Sequence, residues 1–118
     1  MTVDLSQMPQ TKLLLVVPCY NEEEILAKTH RTLQQYRTRL VQEGKIAPES
    51  KICYVNDGSR DRTWQLIDDI CNTDTHAIGI KLSRNFGHQS AILAGLMHHI
   101  QDFDCFVTID ADLQDPPE

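Results

Sequence analysis

The chain has no apolar run approaching the ~20 residues a membrane-crossing helix requires, and the stretch from Met1 to Gln10 lacks a signal-peptide pattern. Positive charge is scarce as well: 11 Lys and Arg stand against 17 Asp and Glu, a formal net charge of −6. That balance argues against electrostatic binding to nucleic acid or to an anionic membrane surface. A phosphate-bearing ligand would have to be met by a metal ion or by backbone N–H groups. The cysteines are few and far apart. Cys19, Cys53, Cys71 and Cys105 show no CxxC or Cys/His ligand spacing, which points to reduced, buried thiols and away from redox or zinc roles. Also missing are a GxGxxG fingerprint after the first apolar run and the phosphate-loop signature GxxxxGK[ST], so dinucleotide-binding dehydrogenases and P-loop enzymes are disfavoured. What remains is ordinary globular composition, 41% hydrophobic and 24% charged, suited to one domain with a modest core. On these grounds the chain reads as soluble and cytoplasmic.

Residues 1–11 read as a flexible tail. Lys12 to Val17 is then a continuous apolar run, the pattern of a strand buried on both faces, and Pro18 is expected to close it. Asn21 with Glu24 resembles a reciprocal helix cap, after which Ile25, Thr29, Leu33, Tyr36 and Leu40 recur at helical spacing as far as Gly44. Ile52 to Val55 reads as a second strand running into Asn56-Asp57-Gly58-Ser59. Ser59 is placed to cap a helix whose apolar stripe is Trp64, Ile67, Ile70 and Cys71. A third strand spans Ala77 to Leu82. The helix after it is expected to pack through Ile92, Leu93, Leu96, Met97 and Ile100, and Cys105 to Ile109 reads as a fourth strand. Strands alternating with helices imply parallel pairing with right-handed crossovers, hence an α/β unit with helices on both faces of a mostly parallel sheet of about four strands.

Every strand end carries polar or turn-forming residues, and a parallel sheet brings all four ends to one edge, where ligands of open α/β sheets bind. The last of them, Asp110-Ala111-Asp112-Leu113-Gln114-Asp115, is the most chemically pointed. Carboxylates at alternating positions can bridge a divalent ion while a diphosphate supplies further oxygens, and Mg2+ and Mn2+ both suit such oxygen ligands. A helix cap would explain one Asp but not three acidic residues with Gln114. Asp57 can accept hydrogen bonds from a base edge or ribose hydroxyls, although Asp-Gly is also a common turn signal. Tyr20 could cover a flat base by stacking, and Glu22 could bond that base or serve a helix dipole. Arg84 is the best-placed cation for a phosphate, and Gly87 permits close approach of backbone to ligand. His88, at a helix entry, reads as structural, Trp64 as core, and His98 with His99 as an exposed pair.

Taken in order, VVPCYNEEEIL, VNDGSRDRT, LSRNFGHQSAILAGL and TIDADLQDPPE resemble the amino-terminal half of a family 2 glycosyltransferase of the GT-A fold, from about Lys12 to Glu118. The third and fourth segments are similar to the polyprenyl-phosphate branch, which includes dolichol-phosphate mannosyltransferase and the bactoprenol glucosyltransferases. The resemblance implies a three-layer, Rossmann-like nucleotide-binding half over residues 12–118. It implies inverting transfer of a sugar from a UDP- or GDP-sugar to a polyprenyl phosphate, with Mg2+ or Mn2+ holding the diphosphate. Pro18, Tyr20, Glu22 and Asp57 would form the nucleoside site, with Arg84, Asp110 and Ala111 also on the donor. Asp110 and Asp112 match the DxD pair, and Gln114 matches the position that completes the metal shell.

Members of this branch continue past the PPE segment into an acceptor-binding half. The chain is therefore expected to be the amino-terminal part of a longer enzyme that works at the cytoplasmic face of a membrane. Alone it is expected to bind donor nucleotide at best, without turnover, and an unpaired sheet edge would favour self-association or instability. Two rivals stand beside this reading. One is a binding-only fragment. The other is a phosphatase of the haloacid dehalogenase-like kind, with Asp110 as nucleophile, although that family expects Thr or Val where Leu113-Gln114 follow and carries the motif near its start.

Overall fold

A computed structural model describes residues 10–113. The elements follow in strict alternation: β1 (Leu13–Cys19), α1 (Leu26–Gln42), β2 (Lys51–Asn56), α2 (Thr63–Thr73), β3 (Ala77–Lys81), α3 (His88–His99) and β4 (Cys105–Thr108). Among the described residues they form one four-stranded sheet, ordered β3-β2-β1-β4, with every neighbouring pair parallel. The two inner strands are the most continuously apolar. β1 is buried along its whole length, as is β2 from Ile52 onward.

The chain steps from β1 to β2 to β3 in one direction, then returns past both to β4. A chain that keeps one crossover hand must change faces when it reverses direction. It does so here. Leu26 and Leu33 of α1 and Ile67 of α2 share a core with Leu13, Leu15, Val17, Ile52 and Tyr54. Ala91 of α3 shares a second core with Leu14, Val16, Cys53 and Val55 on the opposite face. The reversal places a topological switch point between β1 and β4, where open parallel sheets hold their ligands.

Several expectations are corrected. Pro18 does not close β1, which runs on to Cys19. The oxygen of Val16 accepts from Ile109 N on the β4 side, and Pro18, two residues on, faces the same way beyond the last β4 pairing, so its missing N–H breaks no ladder bond. The first two helices begin at Leu26 and Thr63, not at Asn21 and Ser59. Tyr36 is exposed, and α1 instead buries His30 and Arg37. Helix α3 packs through Ala91 and Gly95, leaving Leu93 at 54% and Met97 at 66% exposure, with Ile100 also outside. It lies so close to the sheet that a Cβ at Gly95 would meet Val16 Cγ1 at 2.8 Å. Cys19 and Cys53 are buried as expected, whereas Cys105 is exposed on edge strand β4. His99 is not an exposed residue: its Nε2 is buried without a hydrogen-bond partner among the described residues. No helix among the described residues is long and apolar enough to cross a membrane.

On one face of the sheet, α1 is tied down by a buried polar chain. Tyr54 OH meets His30 Nδ1 at 2.6 Å, and His30 Nε2 meets Asp74 Oδ2 at 3.0 Å. Asp74 Oδ2 can only accept, so the neutral imidazole carries its proton on Nε2, and Nδ1 accepts from the Tyr54 hydroxyl, which burial keeps protonated. Burial also holds His30 below its ordinary 6.5, against the opposing pull of Asp74. The unfolded chain therefore binds more protons at this site than the folded one. That contribution to stability is complete above 6.5 and is lost as pH falls from there towards the folded value. Urea melts at pH 7.5 and 5.5 should show a larger acid loss for the wild type than for His30→Gln, whose amide has no such titration. Equal losses would remove His30 as the source.

Candidate functional site

At the carboxyl ends of the strands, over the switch point, lies a cleft of about 370 Å³. It is lined by Pro18, Cys19 and Tyr20 from the end of β1, Glu22 just beyond, Asp57 after β2, Asn85, Gly87 and His88 before and at the start of α3, and Asp110, Ala111 and Asp112 after β4. The four polar strand ends thus do converge. Cys19 brings no thiolate chemistry to the cleft, because burial, and then the charge of Glu22, push its thiol far up.

The front wall is an exchange of side-chain bonds between two loops. Asn21 N donates to Ser59 Oγ at 2.9 Å, and Arg60 N donates to Asn21 Oδ1 at 2.9 Å. Glu22 N donates to Thr63 Oγ1 at 2.8 Å, and Glu23 Oε1 accepts from Arg62 N at 3.1 Å. Asn21 takes the left-handed backbone that asparagine tolerates, with φ of 54°. Cap-forming residues are present as the sequence indicates, but each serves the other loop and not its own helix. The outcome fixes the chain at Asn21, Glu22 and Glu23, directly after Tyr20.

Asp57 is 3% exposed, and both its carboxylate oxygens hold the opposite loop. Oδ1 accepts from Phe86 N at 2.8 Å and Oδ2 from Gly87 N at 3.1 Å. Gly87 is the cap residue of α3, and Asp57, just after β2, accepts from its amide and from the amide before it, tying the entrance of α3 to the end of β2. Each oxygen still has a lone pair for a ligand. Arg84 lies outside the cleft lining, exposed, with its guanidinium 4.3 Å over the Phe86 ring. His88, read from sequence as structural, lines the cleft, and its Nε2 stands 3.9 Å from Asp110 Oδ1. Asn85 is a second lining residue that sequence reasoning passed over. Asn85 belongs to the polar loop before α3 and His88 opens that helix, and the Asp57 bonds to Phe86 N and Gly87 N between them draw this stretch to the cleft.

On the last wall Ala111 is buried between exposed Asp110 and Asp112, so the alternation of the segment turns both carboxylates away from the core. Gln114 lies outside the described residues. Partial burial, and then the charges of Asp112, Asp61 and Asp110, raise the Glu22 carboxyl above its ordinary range. Among the described residues no three His, Cys, Asp or Glu side chains could by themselves hold a metal ion. The donor set fits a hard divalent cation shared with a ligand: it is oxygen-only, such ions are commonly bound through one or two carboxylates plus phosphate oxygens, and the crowded negative charge is what a cation would relieve.

Comparison with known proteins follows the same line. Residues 14–118 match the profile of glycosyl transferase family 2. The glycosyltransferase YkoT of Bacillus subtilis is 47% identical over 106 residues, 90% of this chain and 32% of that protein. The undecaprenyl-phosphate 4-deoxy-4-formamido-L-arabinose transferase of Proteus mirabilis is 39% identical, covering 91% of this chain and 31% of its own length. The bactoprenol glucosyl transferase of Shigella phage SfV is 36% identical, with 91% and 32% covered. The chain spans roughly a third of the length of these curated relatives. Among solved structures, the mannosyltransferase PcManGT from Pyrobaculum calidifontis, in complex with GDP-Man and Mn2+, is similar with a TM-score of 0.71 at 17% identity, over 88% of this chain and 28% of that one. TarS from S. aureus, in complex with UDP-GlcNAc, gives 0.66 at 20% identity, over 86% and 26%. At these identities the likeness establishes the fold, which is that of GT-A glycosyltransferases. On the match across residues 14–118, the chain belongs to glycosyl transferase family 2.

Proposed function

We propose that this chain forms the donor site of an enzyme that transfers a sugar, with inversion, from a UDP- or GDP-sugar to a polyprenyl phosphate at the cytoplasmic face of a membrane. The observation that carries the reading is the convergence of Tyr20, Glu22 and Asp57 with Asp110 and Asp112 around one cleft at the switch point. Relatives named for undecaprenyl-phosphate and bactoprenol transfer support the acceptor class. Neighbours solved with GDP-Man and UDP-GlcNAc support the donor class.

In this reading Pro18, Tyr20, Glu22 and Asp57 bind the nucleoside, Tyr20 by stacking and Asp57 through its remaining lone pairs. Asp110, Asp112 and Gln114 hold Mg2+ or Mn2+, with Ala111 close to the donor and Arg84, expected there from the sequence, left outside the cleft. The cation would supply Lewis-acid stabilisation of the charge that grows on the departing diphosphate. A lipid phosphate is already ionised near neutral pH, so the chain needs no strong general base for it.

Calorimetry with UDP and with GDP, each with and without Mn2+, tests the proposal. Binding of one nucleotide is expected to depend on the metal and to weaken by more than about 100-fold in Asp112→Ala, beyond the roughly 10–100-fold loss usual for groups that only support a ligand. Binding indifferent to both metal and Asp112 would sink the donor-site reading.

A further inference from the structure

We infer that Thr29 is the positioning residue of the Asp110 and Asp112 carboxylates, an inference that rests on the donor-site reading above. Thr29 lies near the start of α1 and is 3% exposed. Its Oγ1 donates to the backbone oxygen of Ala111 at 2.6 Å, across 82 residues of sequence. A helical threonine commonly turns its hydroxyl back onto the carbonyl four residues earlier. Thr32 does so with Lys28 O, and Thr73 with Asp69 O. Thr29 does not: Ile25 O takes only the backbone N–H of Thr29, and the hydroxyl reaches the segment after β4.

What it reaches is the residue between the two carboxylates. Ala111 is itself 3% exposed, and a buried carbonyl left unpaired there would be destabilising. The turn around it is tight and strained: Leu113 N donates to Asp110 O at 3.1 Å, and Leu113 sits at φ of 52°. A leucine rarely adopts that region, and such backbone persists only where its surroundings hold it. The Ala111 carbonyl lies in the peptide plane that joins Ala111 to Asp112. Fixing that oxygen fixes the plane, and with it the direction in which Asp112 leaves the chain relative to Asp110. Thr29 touches no ligand. It acts through the backbone it pins.

The test compares Thr29→Val, which removes the hydroxyl at nearly constant volume, with Thr29→Ser, which keeps the hydroxyl and drops the methyl. Without any ligand, amide exchange at Leu113 should quicken about fivefold in the valine variant, the factor carried by one net hydrogen bond, and stay near wild type in the serine variant. With UDP or GDP, whichever binds the wild type, the Mn2+-dependent affinity should fall about tenfold in Thr29→Val and recover in Thr29→Ser. Affinity for the matching nucleoside without metal should not change. Exchange at Leu113 that ignores the hydroxyl, or a serine variant as impaired as the valine one, overturns the assignment. A wild type with no metal-dependent nucleotide binding defeats the donor-site reading and the carboxylate role with it, while the exchange measurement still decides whether Thr29 pins the turn.

Discussion

Gly58→Ala is expected to lower the unfolding free energy by about 3 kcal/mol or more, read as a leftward shift of a urea melt at unchanged slope. Two effects add. Gly58 has φ of 68°, where any L side chain is strained, and a Cβ there would lie 2.2 Å from Asn85 N and 2.3 Å from the Arg84 carbonyl carbon. Both neighbours are backbone, so no side chain can swing aside. The loop from Arg84 to Gly87 would have to lift off, taking Phe86 N and Gly87 N away from Asp57. The control is Gly87→Ala. Gly87 has φ of 102° but nothing within 4 Å of the added Cβ, so only backbone strain, of about 1–3 kcal/mol, remains. Equal losses at the two glycines would mean that the contact between the loops has no weight.

Asp74→Ala should also be severe, at about 3 kcal/mol, measured in the same way. The Asp74 side chain accepts from His30 Nε2, from Gln34 Nε2 at 3.3 Å and from His76 N at 2.8 Å, and it is buried. Truncation leaves a buried imidazole N–H and the backbone N–H of His76, just before β3, without their acceptor. It also removes the charge that partly offsets the effect of burial on His30. The imidazole should then be harder to protonate in the folded state, so the loss of stability on acidification should extend to lower pH than in the wild type. A variant that melts within about 1 kcal/mol of wild type would show that the network is dispensable.

The alternation of strands and helices, the parallel pairing and the convergence of strand ends were legible because they follow from coarse signals: apolar runs of strand length, helical periodicity between them, and the handedness of crossovers; the order β3-β2-β1-β4 was not. Asp57, Asp110, Asp112, Glu22, Tyr20 and Pro18 could be placed at one edge on topology alone. Finer features depended on contacts that sequence distance hides. Asn21 and Ser59 carry the chemistry of helix caps, but which amide each side chain meets is decided by the other loop. Apolar periodicity in α3 pointed to Leu93 and Met97 as core. The sheet selects small residues there instead, because the helix rides directly on Val16 and Val55. His88 looked like a helix-entry residue and is one. Its place in the cleft follows from Asp57 drawing the preceding two amides inward, which no local pattern announces.

The exchanged bonds of the front wall also govern how that wall moves. With Asn21 satisfied by the Ser59 loop and Arg60 N satisfied by Asn21, neither helix entrance can fray without stripping partners from the other. Thermal opening of the entrances to α1 and α2 is therefore a single cooperative event, and the amides of Asn21, Glu22, Arg60 and Arg62 should report one common opening free energy in hydrogen exchange.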